Sequence, residues 1–529
     1  MICPDPPIPA TGDRRKARAI PALIKGRRRQ TPAEYSPEGD CENHRKCAKT
    51  FIYFSPMGIR MPRIYLGKIP LRWCDTCHTP VLSGTCACGA PARPVAVTPP
   101  GDARPAFPDD VDRVNRVFCE HFGAPLIPEG HLSLLNKVPA DDRMDEIVLG
   151  GAVVGAIRYI PGEQRWEPLP RPNAAAFLRP TKRYVVVDGG AIPSIRDGGA
   201  SVLAPGLLSI DPAVAEGDEV FILTEAGECI GVGRAKVDAA VATTMERGLV
   251  VRTRRNVSSA CVPGEATWED AVAANERILA EYEAASIQFV RDVAEKNPER
   301  PTVSYSGGKD SLATLLIVLK ALGPVPLLFA DTGLEFPETC ENVEAVAERY
   351  GLEVLRVCDE AAFWSEFERS GPPAVDNRWC CRVCKLHPLG RLIDEHFGEC
   401  LSFIGQRKYE SVRRMQSRRV WRNDRVPQQL SAAPIQQWTA MHVWLYIFRE
   451  KAPYNRLYER GLDRIGCFMC PSSDLATFAL IREFCPELSE MWLAKLAGWQ
   501  EKQGLPRDWV ERGLWRKRGG ADEEEDSYN

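Results

Sequence analysis

The 529-residue sequence has no long apolar run and no excess of charge of one sign. Its longest unbroken apolar run, Val443 to Phe448, is far shorter than the roughly 20 residues that span a membrane. Lysine and arginine number 68 against 71 aspartates and glutamates, so the whole chain is not a polycation. No charged-then-apolar leader ends in a small-residue cleavage site, so we expect a cytoplasmic protein with no membrane contact. The 44% apolar and 26% charged shares argue against full-length disorder.

At roughly 150 residues per domain, the length predicts three or four domains. We expect a basic, disordered tail (1–60), a metal-binding ribbon (61–95), a mixed α/β or β linker domain (96–180), a small β-barrel (181–256), a connecting helix (266–298), an α/β domain (299–515) and an acidic tail (516–529). The basic runs of the first tail leave a nucleic-acid-binding arm open as the alternative to a plain disordered segment.

Nineteen cysteines are many for a chain expected in a reducing compartment, where clustered cysteines indicate metal sites before disulfides. The first cluster, Cys74-x2-Cys77 followed by Cys86-x-Cys88, offers four sulfurs on two short turns. Tetrahedral zinc needs four such ligands, and a segment with so little core of its own would depend on the metal to fold. We therefore predict a structural zinc ribbon. Four unrelated buried thiols are the alternative, and His78 is a spare ligand candidate.

Short strands broken by glycine-rich turns predict the small β-barrel, with strands from Tyr184 to Val187, from Glu219 to Leu223 and from Cys229 to Val232. The order of its glycine-containing segments resembles that of the PUA domain: Gly199-Ala200, Val202 to Leu207, Glu216 to Val220 and Gly231 to Ala235. That family is an RNA-binding barrel attached to RNA-modifying enzymes. The resemblance implies RNA, and tRNA in particular, as a partner.

From Pro301 onward the pattern alternates between strand, loop and helix. The segments in order are a strand from Thr302 to Tyr305, a loop from Ser306 to Ser311, a helix from Leu312 to Leu322 and a strand from Val325 to Ala330. This alternation predicts a parallel sheet with helices on its faces and ligands at the carboxyl ends of the strands. The expected fold class is therefore α/β.

The loop that follows the first of these strands has the composition of a phosphate cradle. Gly307 and Gly308 let backbone N–H groups turn toward an anion, Lys309 adds a cation, and Ser306 and Ser311 add hydroxyl donors. It is not a Walker loop, because an aspartate follows the lysine where serine or threonine would stand.

The run Ser306-Gly307-Gly308-Lys309-Asp310-Ser311 is similar to the signature of the PP-loop ATP pyrophosphatases. The resemblance implies that the loop holds the pyrophosphate of ATP, with magnesium, while the α-phosphate is attacked. Lys309 and Asp310 are then the candidate catalytic residues of the loop.

Three further segments resemble one branch of that superfamily, the phosphoadenosine phosphosulfate (PAPS) reductase-like proteins. They are Asp331 to Thr339, Gly405 to Arg413, and Pro434 to Thr439 with Val443-Trp444. The resemblance implies further nucleotide-binding residues in the first two segments, namely Asp331, Thr332, Arg407, Glu410, Ser411 and Arg413.

A second cysteine cluster lies in the same region. Cys380-Cys381 and, about 85 residues later, Cys467-x2-Cys470 resemble the ligand set of the adenylyl-sulfate reductases, which implies a 4Fe-4S cluster. Zinc at these four positions and plain buried thiols are the rival interpretations. Cys384 is an extra cysteine, and we consider it as a bystander, a substitute ligand or a sulfur-carrying catalytic thiol.

Two departures from the reductases shape the functional prediction. Those enzymes attack sulfur with a C-terminal cysteine, whereas here no cysteine follows Cys485, and they tend to alter a phosphate loop that this chain keeps suited to ATP. We therefore expect ATP-dependent adenylation and sulfur transfer on RNA, with a sulfur or electron donor as a further partner. The alternatives are a PAPS or adenylyl-sulfate reductase that releases sulfite, and a non-catalytic RNA-binding sensor.

The stretch from Arg407 to Arg425 is rich in positive charge, with eight lysines or arginines against two acidic residues. It predicts either a solvated face with one or two phosphate-binding arginines or a strip along which a polyanion lies.

Overall fold

The computed structural model of the chain describes residues 69–517, which belong to the unit Ile64–Asn529. The predicted basic tail and nearly all of the acidic tail lie outside the described residues. Four sheets follow one another along the described part of the chain, with 3, 5, 6 and 6 strands in chain order. No helix in that part is long and apolar enough to cross a membrane.

The first sheet is a small antiparallel ribbon of order β2-β1-β3. Its strands are β1 (Arg72–Cys74), β2 (Thr79–Val81) and β3 (Arg93–Pro94). The turn after β1 and the turn before β3 carry the first cysteine cluster. Only Trp73 gives this sheet a large buried side chain, so the ribbon has little apolar core of its own.

The second sheet is wholly antiparallel, of order β4-β5-β6-β7-β8, and one helix packs against it. Its elements are β4 (Arg104–Pro105), α1 (Pro108–Phe122), β5 (Ser133–Lys137), β6 (Met144–Leu149), β7 (Ala152–Ile160) and β8 (Arg165–Pro170). Helix α1 begins at a proline, has two acidic residues in its first turn, and ends at Gly123 in the left-handed conformation, all of which favour these bounds.

The third sheet has the order β10-β14-β13-β12-β9-β11 and contains one parallel pair, β9 with β12. Its elements are β9 (Tyr184–Val187), α2 (Ile192–Arg196), β10 (Val202–Leu203), β11 (Leu207–Ile210), β12 (Glu219–Thr224), β13 (Cys229–Ala235), α3 (Ala239–Ala242) and β14 (Leu249–Arg255). The three strands expected from the sequence are present, and the last two of them run further than expected.

A long helix, α4 (Trp268–Lys296), links the third sheet to the fourth. Thr267 and Asp270 form a capping box at its start, which satisfies backbone N–H groups there. Leu279, Val290 and Val293 are buried along one stripe, in keeping with the expected amphipathic helix.

The fourth sheet confirms the predicted α/β fold, with order β17-β16-β15-β18-β20-β19 and only the edge strand β19 antiparallel. Its strands are β15 (Arg300–Ser304), β16 (Leu327–Asp331), β17 (Val354–Cys358), β18 (Cys400–Ile404), β19 (Val420–Asn423) and β20 (Val426–Ala432). The helices are α5 (Lys309–Leu322), α6 (Pro337–Tyr350), α7 (Glu360–Ser370), α8 (Trp379–Cys381), α9 (His387–His396), α10 (Val412–Gln416), α11 (Ala440–Arg449), α12 (Leu475–Phe484) and α13 (Pro486–Gln503).

One apolar core runs through several of these modules. It joins Trp73 of the ribbon and Leu134 of the second sheet to α4, α5 and α11, and it includes Trp438 and Trp444. These two tryptophans are therefore core residues rather than stacking surfaces for nucleic acid bases.

Candidate nucleotide site and cysteine clusters

The glycine loop Ser306 to Ser311 lies between β15 and α5, at the carboxyl edge of the fourth sheet. Gly307 has a φ of 70°, and a Cβ there would lie 2.8 Å from Thr339 Cγ2, so only glycine fits. The Ser311 hydroxyl closes the loop, since it accepts from Ser306 N at 3.3 Å and donates to Gly308 O at 2.8 Å.

Helix α5 begins at Lys309, three residues earlier than the sequence predicts. Gly308 takes the extended backbone of an N-cap, so the N–H groups at the start of the helix follow directly from the loop. Gly405 allows close approach from another strand end, because a Cβ on it would lie 2.4 Å from the Asp310 carbonyl carbon. The first turn of α5 is thus enclosed by two motif segments that are far apart in sequence.

Alternating charges connect the loop to two distant segments. Lys309 Nζ donates to Asp310 Oδ2 at 2.8 Å, and Arg407 Nε donates to Asp310 Oδ1 at 2.6 Å. Arg407 Nη1 donates in turn to Asp102 Oδ2 at 2.8 Å, and the other oxygen of Asp102 accepts from Ala440 N at the start of α11. Asp310 therefore holds both cations of the site in place.

The ionisation of Asp310 follows from these neighbours. Burial alone would raise the pKa of this carboxyl group, but the charges of Arg407 and Lys309 lower it to about 2. Burial likewise disfavours charged Lys309, while Asp310 raises the pKa of this lysine above its ordinary value. The two groups are both charged at neutral pH.

Asp331 and Thr332 lie at the end of β16, as the resemblance implies. Asp331 Oδ1 accepts from Gly333 N at 2.8 Å, and Arg356 Nε donates to its other oxygen at 2.9 Å. Thr332 Oγ1 lies 3.4 Å from the sulfur of Cys467. The segment that resembles a nucleotide-binding site is thus in direct contact with the second cysteine cluster.

Glu410, Ser411 and Arg413 have different environments. Glu410 Oε2 accepts from Arg407 N at 2.8 Å, and Ser411 Oγ accepts from Arg414 N at 3.2 Å at the start of α10. Arg413 is exposed. The first two residues shape the backbone around Arg407, while Arg413 points its charge outward.

Three of the eight basic residues between Arg407 and Arg425 are neutralised by carboxylates within the fold. Arg407, Arg414 and Arg422 pair with carboxylates, Lys408 donates to Gln437, and Arg419 stacks on the Phe289 ring at 3.6 Å. Arg413 and Arg418 remain as exposed cations in this stretch. This favours a solvated face with one or two phosphate-binding arginines over a continuous polyanion strip.

The fold brings the two halves of the second cysteine cluster together. A hydrogen bond with Cys381, burial, and then the charges of Cys381, Cys467 and Cys470 raise the pKa of the Cys380 thiol well above its ordinary value. The same hydrogen bond, helped by the Arg378 and Lys385 charges and opposed by burial, lowers the pKa of Cys381 to about 6. Cys381 is therefore the more acidic thiol of this adjacent pair.

The donor set of this second cluster fits an iron–sulfur group. Four cysteine sulfurs are a donor set that an iron–sulfur cluster accepts, and a single zinc ion accepts the same set. Arg464 Nη2 lies 4.0 Å from Cys470 Sγ, and Lys385 lies against Glu335 and Cys467, so cations face the thiolates.

Cys384 lies on a π-helical turn, Arg382–Leu386, and is only 1% exposed. Burial, with the charges of Asp359 and Cys381, raises the pKa of its thiol to about 12. A buried neutral thiol is a poor nucleophile. Of the three roles considered for Cys384, this environment favours packing.

The four sulfurs of the ribbon cysteines lie within 4.8 Å of one another, close enough for one metal ion to contact them all. Cys74 Sγ lies 3.7 Å from Cys88 Sγ, and Cys77 Sγ lies 3.8 Å from Cys86 Sγ. The Ala90 N–H and its thiol neighbours lower the pKa of Cys88 to about 7. His78 is not part of this group.

Three residues of the site, Asp102, Arg356 and Tyr458, lie outside the motifs from which the sequence predicts nucleotide binding. Asp102 lies 305 positions before Arg407, Tyr458 lies 149 positions after Lys309, and Arg356 pairs with Asp331 from the next strand. Only the packed chain brings these groups to the loop.

Comparison with protein families gives two matches. Residues 300–473 match the phosphoadenosine phosphosulfate reductase domain, and residues 183–257 match the PUA domain. Both agree with the resemblances expected from the sequence, within a few residues at the boundaries of the barrel.

Individual relatives match different parts of the chain. Uncharacterized protein MJ0066 of Methanocaldococcus jannaschii is 39% identical over 468 residues, which cover 86% of this chain and 97% of that protein. Adenosine 5'-phosphosulfate reductase 2 of Bacillus subtilis is 30% identical over 182 residues, 33% of this chain and 75% of that enzyme. The crystal structure of PAPS reductase from Candida auris, a phosphate complex, aligns at 21% identity with a TM-score of 0.29, over 40% of this chain and 98% of that one.

Proposed function

Because the chain belongs to the PAPS reductase-like family of the PP-loop superfamily and also carries a PUA domain, we propose that it thiolates RNA with ATP. ATP would activate a base carbonyl oxygen as its adenylate, and sulfur would then replace that oxygen. The observation that carries this proposal is the 3.4 Å contact between Thr332 Oγ1 and Cys467 Sγ, which joins the nucleotide segment to the thiols.

The loop residues have distinct parts in this proposal. The free N–H groups of the loop and of the first turn of α5 hold the pyrophosphate part of ATP with magnesium. Lys309 balances the charge that develops on the leaving pyrophosphate, and Asp310 positions both Lys309 and Arg407. Asp331 and Thr332 lie where the nucleoside part would extend along the sheet edge.

The reaction balances without a change of oxidation state. The carbonyl oxygen of the base attacks the α-phosphorus of ATP, the bond from that phosphorus to its bridging oxygen breaks, and pyrophosphate leaves. A donor of the hydrosulfide class then attacks the adenylated carbon, the carbon–oxygen bond breaks, AMP leaves with the oxygen, and a proton is released.

Cys380, Cys381, Cys467 and Cys470 would hold a 4Fe-4S cluster, which supplies redox or Lewis-acid chemistry when bound. Two cations, Lys385 and Arg464, lie beside these cysteine sulfurs. Thr332 keeps the nucleotide segment in contact with them.

The PUA domain suggests the macromolecular substrate. PUA domains bind RNA, and this chain carries one in residues 183–257. We propose that the domain binds tRNA or another structured RNA, and that Arg413 and Arg418 contact its phosphates near the catalytic loop.

Two measurements test the proposal. Protein purified without oxygen should release pyrophosphate from ATP only when RNA is present, a sulfur donor should let the release continue over many turnovers, and Lys309→Ala should abolish the release. Lys320→Ala is the matched control, because Lys320 lies on the same helix but pairs with Glu283 and Glu450 away from the loop. In RNA from a deletion strain, an unchanged set of thionucleosides would exclude the proposal.

Sulfonucleotide reduction is the second candidate function, favoured by relatives that are named as adenosine 5'-phosphosulfate reductases. It requires sulfite release from adenylyl or phosphoadenylyl sulfate with a thiol donor and no ATP. Nucleotide binding without pyrophosphate or sulfite release under any donor would instead indicate a sensor.

A further inference from the structure

The hydroxyl group of Tyr458 lies against the start of the phosphate loop. Lys309 N donates to Tyr458 Oη at 2.9 Å, and a Cβ placed on Gly308 would lie 3.5 Å from the same oxygen. The phenol belongs to the segment after α11, outside the motif segments that point to nucleotide binding. Its side chain is 1% exposed, so the contact is buried.

Packing from two sides fixes this phenol. Its ring makes an edge contact with Trp444, with centroids 4.8 Å apart. Three residues earlier, Asn455 Nδ2 donates to Thr339 Oγ1 at 3.0 Å, and Thr339 is the residue that closes over Gly307. The segment therefore contacts the loop at Gly308 and Lys309 through Tyr458, and through Asn455 it contacts Thr339, which covers Gly307, so the fold fixes the position of the hydroxyl.

The hydrogen-bonding capacity of the phenol is only partly used. A tyrosine hydroxyl has one proton to donate and an oxygen that accepts. The oxygen accepts from Lys309 N, and among residues 69–517 no acceptor is assigned to the hydroxyl proton. Burial raises the pKa of Tyr458, so the proton stays on the oxygen at neutral pH. A buried donor without an acceptor, beside an anion cradle, needs an acceptor from the ligand.

The position of Tyr458 at the start of α5 also makes its hydroxyl a stronger hydrogen-bond donor. Lys309 N is at the positive end of α5, and its N–H polarises the phenol oxygen that accepts from it. A hydrogen bond from this hydroxyl to an oxygen with negative charge would be of the strong, charge-assisted kind.

We propose that Tyr458 is a further ligand-binding residue, whose hydroxyl donates to an oxygen of the pyrophosphate group of ATP while it accepts from Lys309 N. This inference rests on the proposed function, because it takes the loop to be an ATP site. It adds that the loop selects for the pyrophosphate part of the nucleotide, since the extra donor lies at the loop rather than near Asp331.

The test compares two tyrosines on the same segment. Tyr458→Phe removes the hydroxyl at the loop. Tyr454→Phe is the matched control, because Tyr454 makes an edge contact with the same Trp444 ring at 5.4 Å but donates to Glu459 at 3.0 Å. Binding of ATP, inorganic pyrophosphate and AMP to the full chain is measured by calorimetry. Tyr458→Phe should weaken ATP and pyrophosphate about 10- to 100-fold and leave AMP unchanged, and Tyr454→Phe should match the wild type.

Each other result overturns the inference. Equal ATP affinity in Tyr458→Phe would show that the hydroxyl makes no bond to the ligand, and tighter binding would show that it competes with the phosphate. An equal loss for ATP and AMP would show a structural role only. If the wild type binds neither ATP nor pyrophosphate, the proposed function itself fails, which is distinguishable from failure of the Tyr458 inference alone.

A second measurement needs no change at Tyr458. Pyrophosphate added to the wild type should perturb the near-ultraviolet absorption of a buried tyrosine, and the same signal should persist in Tyr454→Phe. Saturation with pyrophosphate without such a signal would overturn the inference, even if Tyr458→Phe did not fold.

Discussion

The zinc site that we propose in the ribbon gives a prediction whose magnitude follows from the sulfur–sulfur distances. The centre of a regular tetrahedron lies about 0.61 of the edge from each corner, so sulfur–sulfur edges of 3.7 and 3.8 Å place a central ion about 2.3 Å from each sulfur, the zinc–thiolate distance. Zinc-edge X-ray absorption of the full chain should therefore fit four sulfurs at about 2.3 Å.

Replacing one ligand tests whether this metal also holds the ribbon in place. The ribbon docks on α4 through Asn275, which accepts from Leu82 N at 2.7 Å and donates to Pro80 O at 2.8 Å. Structural zinc contributes on the order of 10–16 kcal/mol to folding in small metal domains, far more than these two hydrogen bonds. Cys86→Ser should lower the zinc content by one ion per chain and open the ribbon to proteolysis.

Cys119→Ser is the control, because Cys119 is a single cysteine on α1 outside both clusters. It should retain the zinc content and protease resistance of the wild type. A zinc content in Cys86→Ser equal to that of the wild type would contradict a zinc site at these four cysteines. A fitted shell with nitrogen or oxygen in place of a sulfur would contradict it as well.

Three further predictions concern stability and binding. Asp110→Asn should lower the free energy of unfolding by about 3–5 kcal/mol, because Arg104 stays buried without its carboxylate. At the neighbouring, partly exposed position, Asp109→Asn should cost under about 1 kcal/mol, and urea denaturation measures both. Burial raises the pKa of Glu219 from its ordinary value of 4.5 to about 7. The neutral carboxyl group therefore contributes fully to the free energy of unfolding below pH 4.5, and this contribution is lost as the pH rises through 7. Glu219→Gln should remove that loss, seen as a melting midpoint that no longer falls between about pH 4.5 and pH 7; a midpoint that still falls would contradict it. Lys309→Ala should weaken ATP binding about 10-fold or more, measured by calorimetry, and unchanged affinity would contradict its place in the loop.

Local sequence was sufficient for the features that depend on neighbouring residues. The loop Ser306 to Ser311, the spacing of Cys74, Cys77, Cys86 and Cys88, and the amphipathic helix around Leu279 all appear in the structure as the sequence predicts. Each is set by turn geometry, ligand spacing or helical periodicity over a few residues. The sequence predicts the start of α5 three residues too late, because Gly308 is the N-cap of this helix as well as a residue of the loop.

Tertiary structure decided which of these local features act together. The sequence alone determined that a phosphate loop, a ribbon of four thiols and a parallel sheet exist, because each follows from residues close along the chain. It could not show that Asp102 holds Arg407, that Tyr458 reaches Lys309 or that Arg422 of the basic stretch pairs with Glu299. Those contacts join residues more than 100 positions apart, and only the packing of sheets and helices into one core sets their distances.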